Sequence, residues 1–176
     1  MGYFPLCMNI TGKLVILVGN GPQIKEKRER LMVFDPEFVS LDTLMEKDLE
    51  ASPAMVVVGD LNRVEAERIY KLCVAYHIPV NVVDVPEFCT FYFPAMITRG
   101  PLTVAISTSG SSPAAAALLR RRMEKVLPDR TEEILDWIGE NRKEFRQLGI
   151  MKVVVERAFD VGRPLTQEEI SDIIER

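Results

Sequence analysis

Lys13-Leu14-Val15-Ile16-Leu17-Val18-Gly19-Asn20-Gly21-Pro22 decides the fold. The first six residues are a mostly apolar run of strand length, and the run stops at two glycines flanking an asparagine. Pro22 suits the first turn of a helix, where its missing amide costs nothing. The pattern is strand, glycine turn, helix start. Gln23 to Met32 continues as a helix with Ile24 and Leu31 on one face, and Lys25, Lys27, Arg28 and Arg30 make it strongly basic. A glycine turn ahead of a helix is a phosphate or dinucleotide cradle in principle, because backbone can approach a phosphate and helix amides point at it. A plain strand-to-helix turn has the same look.

Farther along the chain, Glu37 to Leu41 reads as a short strand ending on Asp42. That acid lies about 20 residues past the glycine turn, the spacing expected of a ribose-binding carboxylate. Asp42 to Ser52 offers only a short helix, and Ala54 to Val58 is the third strand, closed by Gly59-Asp60-Leu61-Asn62. Asn62 caps a helix over Arg63 to Tyr76, whose predicted buried face is Val64, Ile69, Leu72, Cys73 and Tyr76. His77 ends that helix. Pro79 to Val83 is a fourth strand, and Asp84 follows it. The first half is therefore β-α-β-β-α-β with apolar, parallel-type strands, a shortened Rossmann-like parallel sheet of the α/β class. Asp84 stands at the carboxyl end of a buried strand, where open α/β sheets hold their ligands. It can serve as a general base, a guide for a metal, or the cap of a turn completed by Pro86.

The second half changes character. Phe88 to Thr98 is aromatic and β-prone, Arg99-Gly100-Pro101 is a turn, and Leu102, Val104 and Ile106 alternate with Thr103, Ala105 and Ser107, so a β-hairpin is predicted. Ser107 to Ser112 is a hydroxyl-rich loop, and Ser112-Pro113 opens a helix that carries Arg120, Arg121, Arg122 and Lys125. The loop can bind an anion or be a solvated cap. The arginines can dock an anionic ligand or form a solvated face. About three helices follow Leu127, the last opened by a Thr166/Glu169 capping box. The division expected is a Rossmann-like nucleotide-binding domain over 1–87, a hairpin region over 88–112 and a helical domain over 113–176.

Composition narrows the classes. With 47% hydrophobic and 27% charged residues, the 176-residue chain is an ordinary soluble globular protein without a membrane-length apolar run. The amino terminus lacks the basic and apolar regions of a secretory signal, so a cytoplasmic location is expected. A net charge of −4 argues against nucleic acid as the main partner. Cys7, Cys73 and Cys89 are odd in number and widely spaced, so buried thiols are expected rather than a disulfide framework. One histidine and no C-x-x-C pair argue against a resident metal site.

Taken in order, several stretches together resemble the precorrin-2 dehydrogenase and sirohydrochlorin ferrochelatase family, including the amino-terminal half of sirohaem synthase. They are Tyr3-Phe4-Pro5-Leu6, Val18-Gly19-Asn20-Gly21, Asn81-Val82-Val83-Asp84, Phe91-Tyr92-Phe93-Pro94-Ala95, Arg99-Gly100-Pro101-Leu102-Thr103-Val104-Ala105-Ile106-Ser107-Thr108, and Gly110 with Ser112-Pro113. The resemblance covers most of residues 3 to 125. It implies oxidation of precorrin-2 to sirohydrochlorin with NAD as hydride acceptor, with ferrous iron or cobalt as the metal of a chelatase step. It puts Asp84 on the family's catalytic aspartate, and Gly19, Asn20, Gly21, Asp42 and Asp60 on the cofactor side. Ser107, Thr108 and Ser112 fall in the tetrapyrrole loop, and Arg99, Arg120, Arg121 and Arg122 become partners for the substrate carboxylates. The family is typically a homodimer built through the hairpin region. Three departures fall on the cofactor side: a short stretch between the glycine turn and the third strand, Ile24 in place of a small residue, and Gly59-Asp60-Leu61 in place of Thr-Asp-Asp. They raise two alternatives, a sirohydrochlorin chelatase without redox activity and a non-catalytic tetrapyrrole-binding protein.

Overall fold

The computed structural model describes residues 4–175; Tyr3, the first residue of the amino-terminal motif, lies outside them. Residues 4–93 and residues 94 onward form two compact units.

In the first unit, β1 (Leu14–Val18), β2 (Glu37–Leu41), β3 (Met55–Val58) and β4 (Val80–Val82) make a four-stranded sheet in the order β2-β1-β3-β4. Every pairing is parallel. The strand order turns back at β1, which lies between β2 and β3, so the switch point falls beside the end of β1, where such sheets bind ligands. Strand periodicity sends alternate residues to opposite faces. Ile16, Val18, Val56, Val58, Val80 and Val82 pack under α2 (Glu46–Leu49) and α3 (Arg63–Ala75). Val15, Leu17, Met55 and Val57 pack with Ile24 and Leu31 of α1 (Pro22–Met32). β2 is the half-exposed edge strand.

The basic character of α1 does not keep it off the sheet. Ile24 and Leu31 are its buried residues, and its cations lie over aromatic rings. Lys27 and Arg30 each lie 5.5 Å from the Phe93 ring centroid, and Arg28 lies 4.8 Å from that of Phe38, within cation–π reach. The shortened connection falls between β2 and β3, where α2 is a single turn.

α3 corrects part of the predicted face. Ala66, Ile69 and Cys73 are buried, Leu72 is partly so, and Val64 is 80% exposed because its position points away from the Ile69 stripe. Tyr76 is the helix C-cap, 38% exposed, with its hydroxyl donating to Glu46 of α2. His77 follows with φ 58, its amide donating to the Val74 carbonyl, so it ends the helix as expected. The cysteines divide: Cys73 is buried and its thiol is pushed up to about 12 by burial, Cys89 is half-buried, and Cys7 is exposed, contrary to expectation, on the coil before β1.

The second unit starts with the antiparallel hairpin β5 (Ala95–Arg99) and β6 (Leu102–Ile106), in register Ala95 to Ile106 and Arg99 to Leu102. α4 (Pro113–Val126) and α5 (Thr131–Gln147) pack on it. α5, α6 (Met151–Val161) and α7 (Gln167–Ile174) share a core of Ile134, Phe145, Val154, Ala158, Leu165, Ile170 and Ile173. The Thr166/Glu169 capping box is present. Among the described residues no helix is long and apolar enough to cross a membrane.

Candidate functional site

Parallel strands of one sheet end on one edge, so the chain itself gathers the residues that follow β1, β2, β3 and β4. At that edge lie Gly19-Asn20-Gly21, Asp42, Gly59-Asp60 and Asp84. The Gly19 amide donates to Leu41, the last residue of β2, at 2.9 Å, which brings the glycine turn beside Asp42. Gly19 has φ 100, a conformation that favours glycine, and a Cβ on it would strike the Gly59 carbonyl. A Cβ on Gly21 would run into the Asp60 carboxylate. The β1–α1 and β3–α3 turns therefore touch.

Gly21 is the N-cap of α1 and supplies no side chain to the first amides of the helix, which remain a cradle for an anion. The backbone thus fits the demands of a dinucleotide pyrophosphate. The Asp60 carboxylate lies at the mouth of this cradle on an exposed residue.

Ile24 does not hold the helix off the strand. It is 5% exposed, packed into the core below the turn, in space left by the absence of a side chain at Gly59.

Asp60 and Asp84 share a backbone device. Both have left-handed conformations, φ 60 and φ 62, which Asp tolerates better than most residues. Asp84 ends the turn after β4, with Val85 N donating to Val82 O. Its Oδ2 accepts a hydrogen bond from Nε2 of Gln23, 2.5 Å away in the first turn of α1. Sequence reasoning missed Gln23, which looks like an ordinary surface residue of a basic helix. It missed Asn81 as well, although the motif includes it. Asn81 is 6% exposed and its Nδ2 donates to the Phe91 carbonyl at 2.9 Å, holding the 89–91 segment along the open edge of β4. Val80 and Thr90 exchange three further bonds there: the Thr90 amide and hydroxyl donate to the Val80 carbonyl, and the Val80 amide donates to the Thr90 hydroxyl. A third unforeseen group is the Arg68 guanidinium, which binds Glu65 through both Nε and Nη2 and also reaches Thr43 and the Leu44 carbonyl, fastening the loop after Asp42 to α3.

In the second unit, β6 runs into the hydroxyl-rich loop. The Ser112 side chain caps α4 by accepting from Ala115 N at 3.1 Å. Thr108 closes the loop, its hydroxyl donating to the Ser112 carbonyl and accepting from the Ser112 amide. Ser107 is exposed and accepts from Ser109 N. Thr108 and Ser112 thus shape the loop with the hydroxyls that were expected to meet a ligand. Arg99 pairs across the hairpin with Leu102, Arg120 binds Glu124 one turn on in α4, and Arg121 is exposed.

A doubly wound parallel sheet with a glycine turn at its switch point and acids at the ends of β2, β3 and β4 defines a Rossmann-like protein of the dinucleotide-binding class. A family model described as "Putative NAD(P)-binding" matches residues 6–95, and one described as "Sirohaem biosynthesis protein central" matches residues 99–125. The chain is 29% identical over 177 residues to the siroheme synthase of Neisseria meningitidis, covering 89% of this chain and 36% of that protein. It is 35% identical over 152 residues to that of Thioalkalivibrio sulfidiphilus, covering 73% and 30%. It spans about a third of the length of these curated relatives. The solved structure of SirC, precorrin-2 dehydrogenase, has the same fold, with a TM-score of 0.66 at 15% identity over 98% of each chain. The chain belongs to the siroheme synthase family of sirohaem synthesis.

Proposed function

We propose that the chain oxidises precorrin-2 to sirohydrochlorin, with NAD⁺ taking the hydride and Asp84 taking the proton. The observation that carries this reading is the common edge: the uncapped amino end of α1 and the Asp84 carboxylate lie at the carboxyl ends of strands of one sheet. Gly19, Asn20 and Gly21 would hold the pyrophosphate, with Asp60 facing the same cradle. Asp42 would bind the ribose hydroxyls, and its charge disfavours the 2′-phosphate of NADP. Bound NAD⁺ supplies a two-electron acceptor. Asp84 Oδ2 is held by Gln23, so Oδ1 is the atom that accepts the proton leaving the macrocycle. Ser107 with Arg99, Arg120 and Arg121 would meet the carboxylates of the tetrapyrrole, arginine forks matching carboxylates in geometry. A homodimer through the hairpin belongs to the same reading.

One feature favours a second reading. The Asp60 carboxylate beside Gly21 already puts an anion at the amino end of α1. A chain that used the edge without a nucleotide would be a chelatase, with Asp84 receiving macrocycle N–H protons as ferrous iron or cobalt enters as substrate.

Two measurements separate these. NAD⁺ titrated into the protein by calorimetry should bind, and precorrin-2 oxidation should require NAD⁺ and be lost in Asp84→Asn. Absence of NAD⁺ binding together with metal insertion into sirohydrochlorin without cofactor would overturn the first reading in favour of the second.

A further inference from the structure

We infer that Gln23 is a positioning residue for Asp84, a role that rests on the reading of Asp84 as the proton acceptor. Its side-chain amide spans from the first turn of α1 to the end of β4, and Nε2 donates to Asp84 Oδ2. Gly59, the residue after β3, lies alongside: a Cβ there would rest in ordinary contact with Gln23 Oε1, at 3.6 Å.

Three features make this a positioning device rather than a stray surface contact. The donor is anchored, because the adjoining Ile24 and Leu31 of the same helix are buried in the sheet core. The acceptor is anchored too, because Asp84 sits in a left-handed turn that limits where its carboxylate points. The bond also occupies one oxygen only, leaving Oδ1 as the atom that can receive a proton. A neutral amide suits the task, since it orients a carboxylate without setting a countercharge against it. Gln23 further joins the two halves of the proposed chemistry. It lies two residues past Gly21, so the helix end that would receive the pyrophosphate also aims the base.

Gln23→Met keeps the length and removes the donor, and Gln23→Glu puts a like charge on Asp84. In the Gln23→Met protein kcat for precorrin-2 oxidation should fall about tenfold or more, the scale of one hydrogen bond to a charged acceptor. KM for NAD⁺ and for precorrin-2 and the thermal midpoint should stay unchanged. Gln23→Glu should lose more. A direct signature is the Gln23 side-chain NH₂ resonance in ¹H–¹⁵N spectra, identified by its loss in Gln23→Met, which should move upfield in Asp84→Ala. An unchanged kcat in Gln23→Met beside an inactive Asp84→Ala, or an NH₂ resonance indifferent to Asp84, overturns the inference alone. A fully active Asp84→Ala overturns the reading of Asp84 as base and the role of Gln23 with it.

Discussion

The Ile24 side chain occupies the space that a side chain at position 59 would need: a Cβ on Gly59 would come within 3.2 Å of both Cγ1 and Cδ1 of Ile24. Two of the departures from the family pattern are therefore one exchange, bulk gained in the glycine motif and bulk removed at the end of β3. The pair should behave as a unit. Gly59→Thr should cost about 1–3 kcal/mol through overpacking, and Ile24→Ala about 2–4 kcal/mol through the cavity it leaves. The double variant should be more stable than the sum of the two losses by at least about 1 kcal/mol. Urea unfolding of the four proteins measures this, and strict additivity would sink the idea.

The two glycines of the β1–α1 turn should separate stability from binding. Gly19→Ala combines a left-handed backbone with a clash against the Gly59 carbonyl, which cannot rotate away, so a loss of at least about 2 kcal/mol is expected. Gly21 has φ −78, open to any residue, and the three atoms nearest its added methyl all belong to the movable Asp60 carboxylate. Gly21→Ala should cost under about 1 kcal/mol yet weaken NAD⁺ binding at least about tenfold by standing between backbone and pyrophosphate. Denaturation and calorimetric titration of both variants check the contrast; a Gly21→Ala protein that binds NAD⁺ normally would remove the cradle from the proposed site.

Acid should loosen the loop that follows Asp42. Hydrogen bonds from Arg68, and then from Thr43, hold the Glu65 carboxyl down to about 2 from an ordinary 4.5. A folded-state value below the unfolded one stabilises the protein above pH 4.5, and that contribution is lost as the pH falls from about 4.5 toward 2. The pair is partly exposed, with Arg68 at 44% and Glu65 at 27%, so the effect is about 1 kcal/mol at most. Glu65→Gln should narrow the gap between stabilities measured at pH 7 and pH 3 by up to that amount. The Arg163–Glu169 pair of the second unit titrates similarly in both proteins and cancels in the comparison. An unaltered pH dependence would mean that the bonds to Glu65 contribute nothing.

The scaffold was legible in the sequence because its signals are local. Apolar runs of strand length, Pro22 after a glycine turn, Asn62 and Ser112 as caps, and the Thr166/Glu169 pair all lie within a few residues of what they cause. Asp84 was legible as a strand-end carboxylate. The groups that set its surroundings were not, because each acts over long separations in the chain: Gln23 reaches Asp84 across 61 positions, and Arg68 reaches Leu44 across 24. The Ile24–Gly59 compensation was not legible for the same reason. Taken singly, Ile24 is an obstruction and Gly59 a loss; only the packed sheet makes them partners. Tyr76 fits the periodicity of α3 but is its C-cap, one residue past Ala75, and its hydroxyl turns to Glu46.

Asn81 carries the last expectation, which concerns the open edge of the sheet. β4 is the terminal strand, and segment 89–91 covers it through the Asn81–Phe91 bond and the three Val80–Thr90 bonds. Asn81 is buried, so Asn81→Leu removes a donor from the Phe91 carbonyl and sets an apolar branch against polar backbone. A loss of about 1–3 kcal/mol should follow, the cost of an unsatisfied buried acceptor. The loss should be local in origin: amide exchange should quicken first at Thr90, whose N–H bonds Val80, and the freed β4 edge should raise the tendency of the protein to associate at high concentration. Asp84 lies three residues on, so NAD⁺ binding should survive while turnover falls. Hydrogen exchange by mass spectrometry, with light scattering on the same variant, tests the sequence of events, and uniform acceleration across the whole sheet would point to global destabilisation instead.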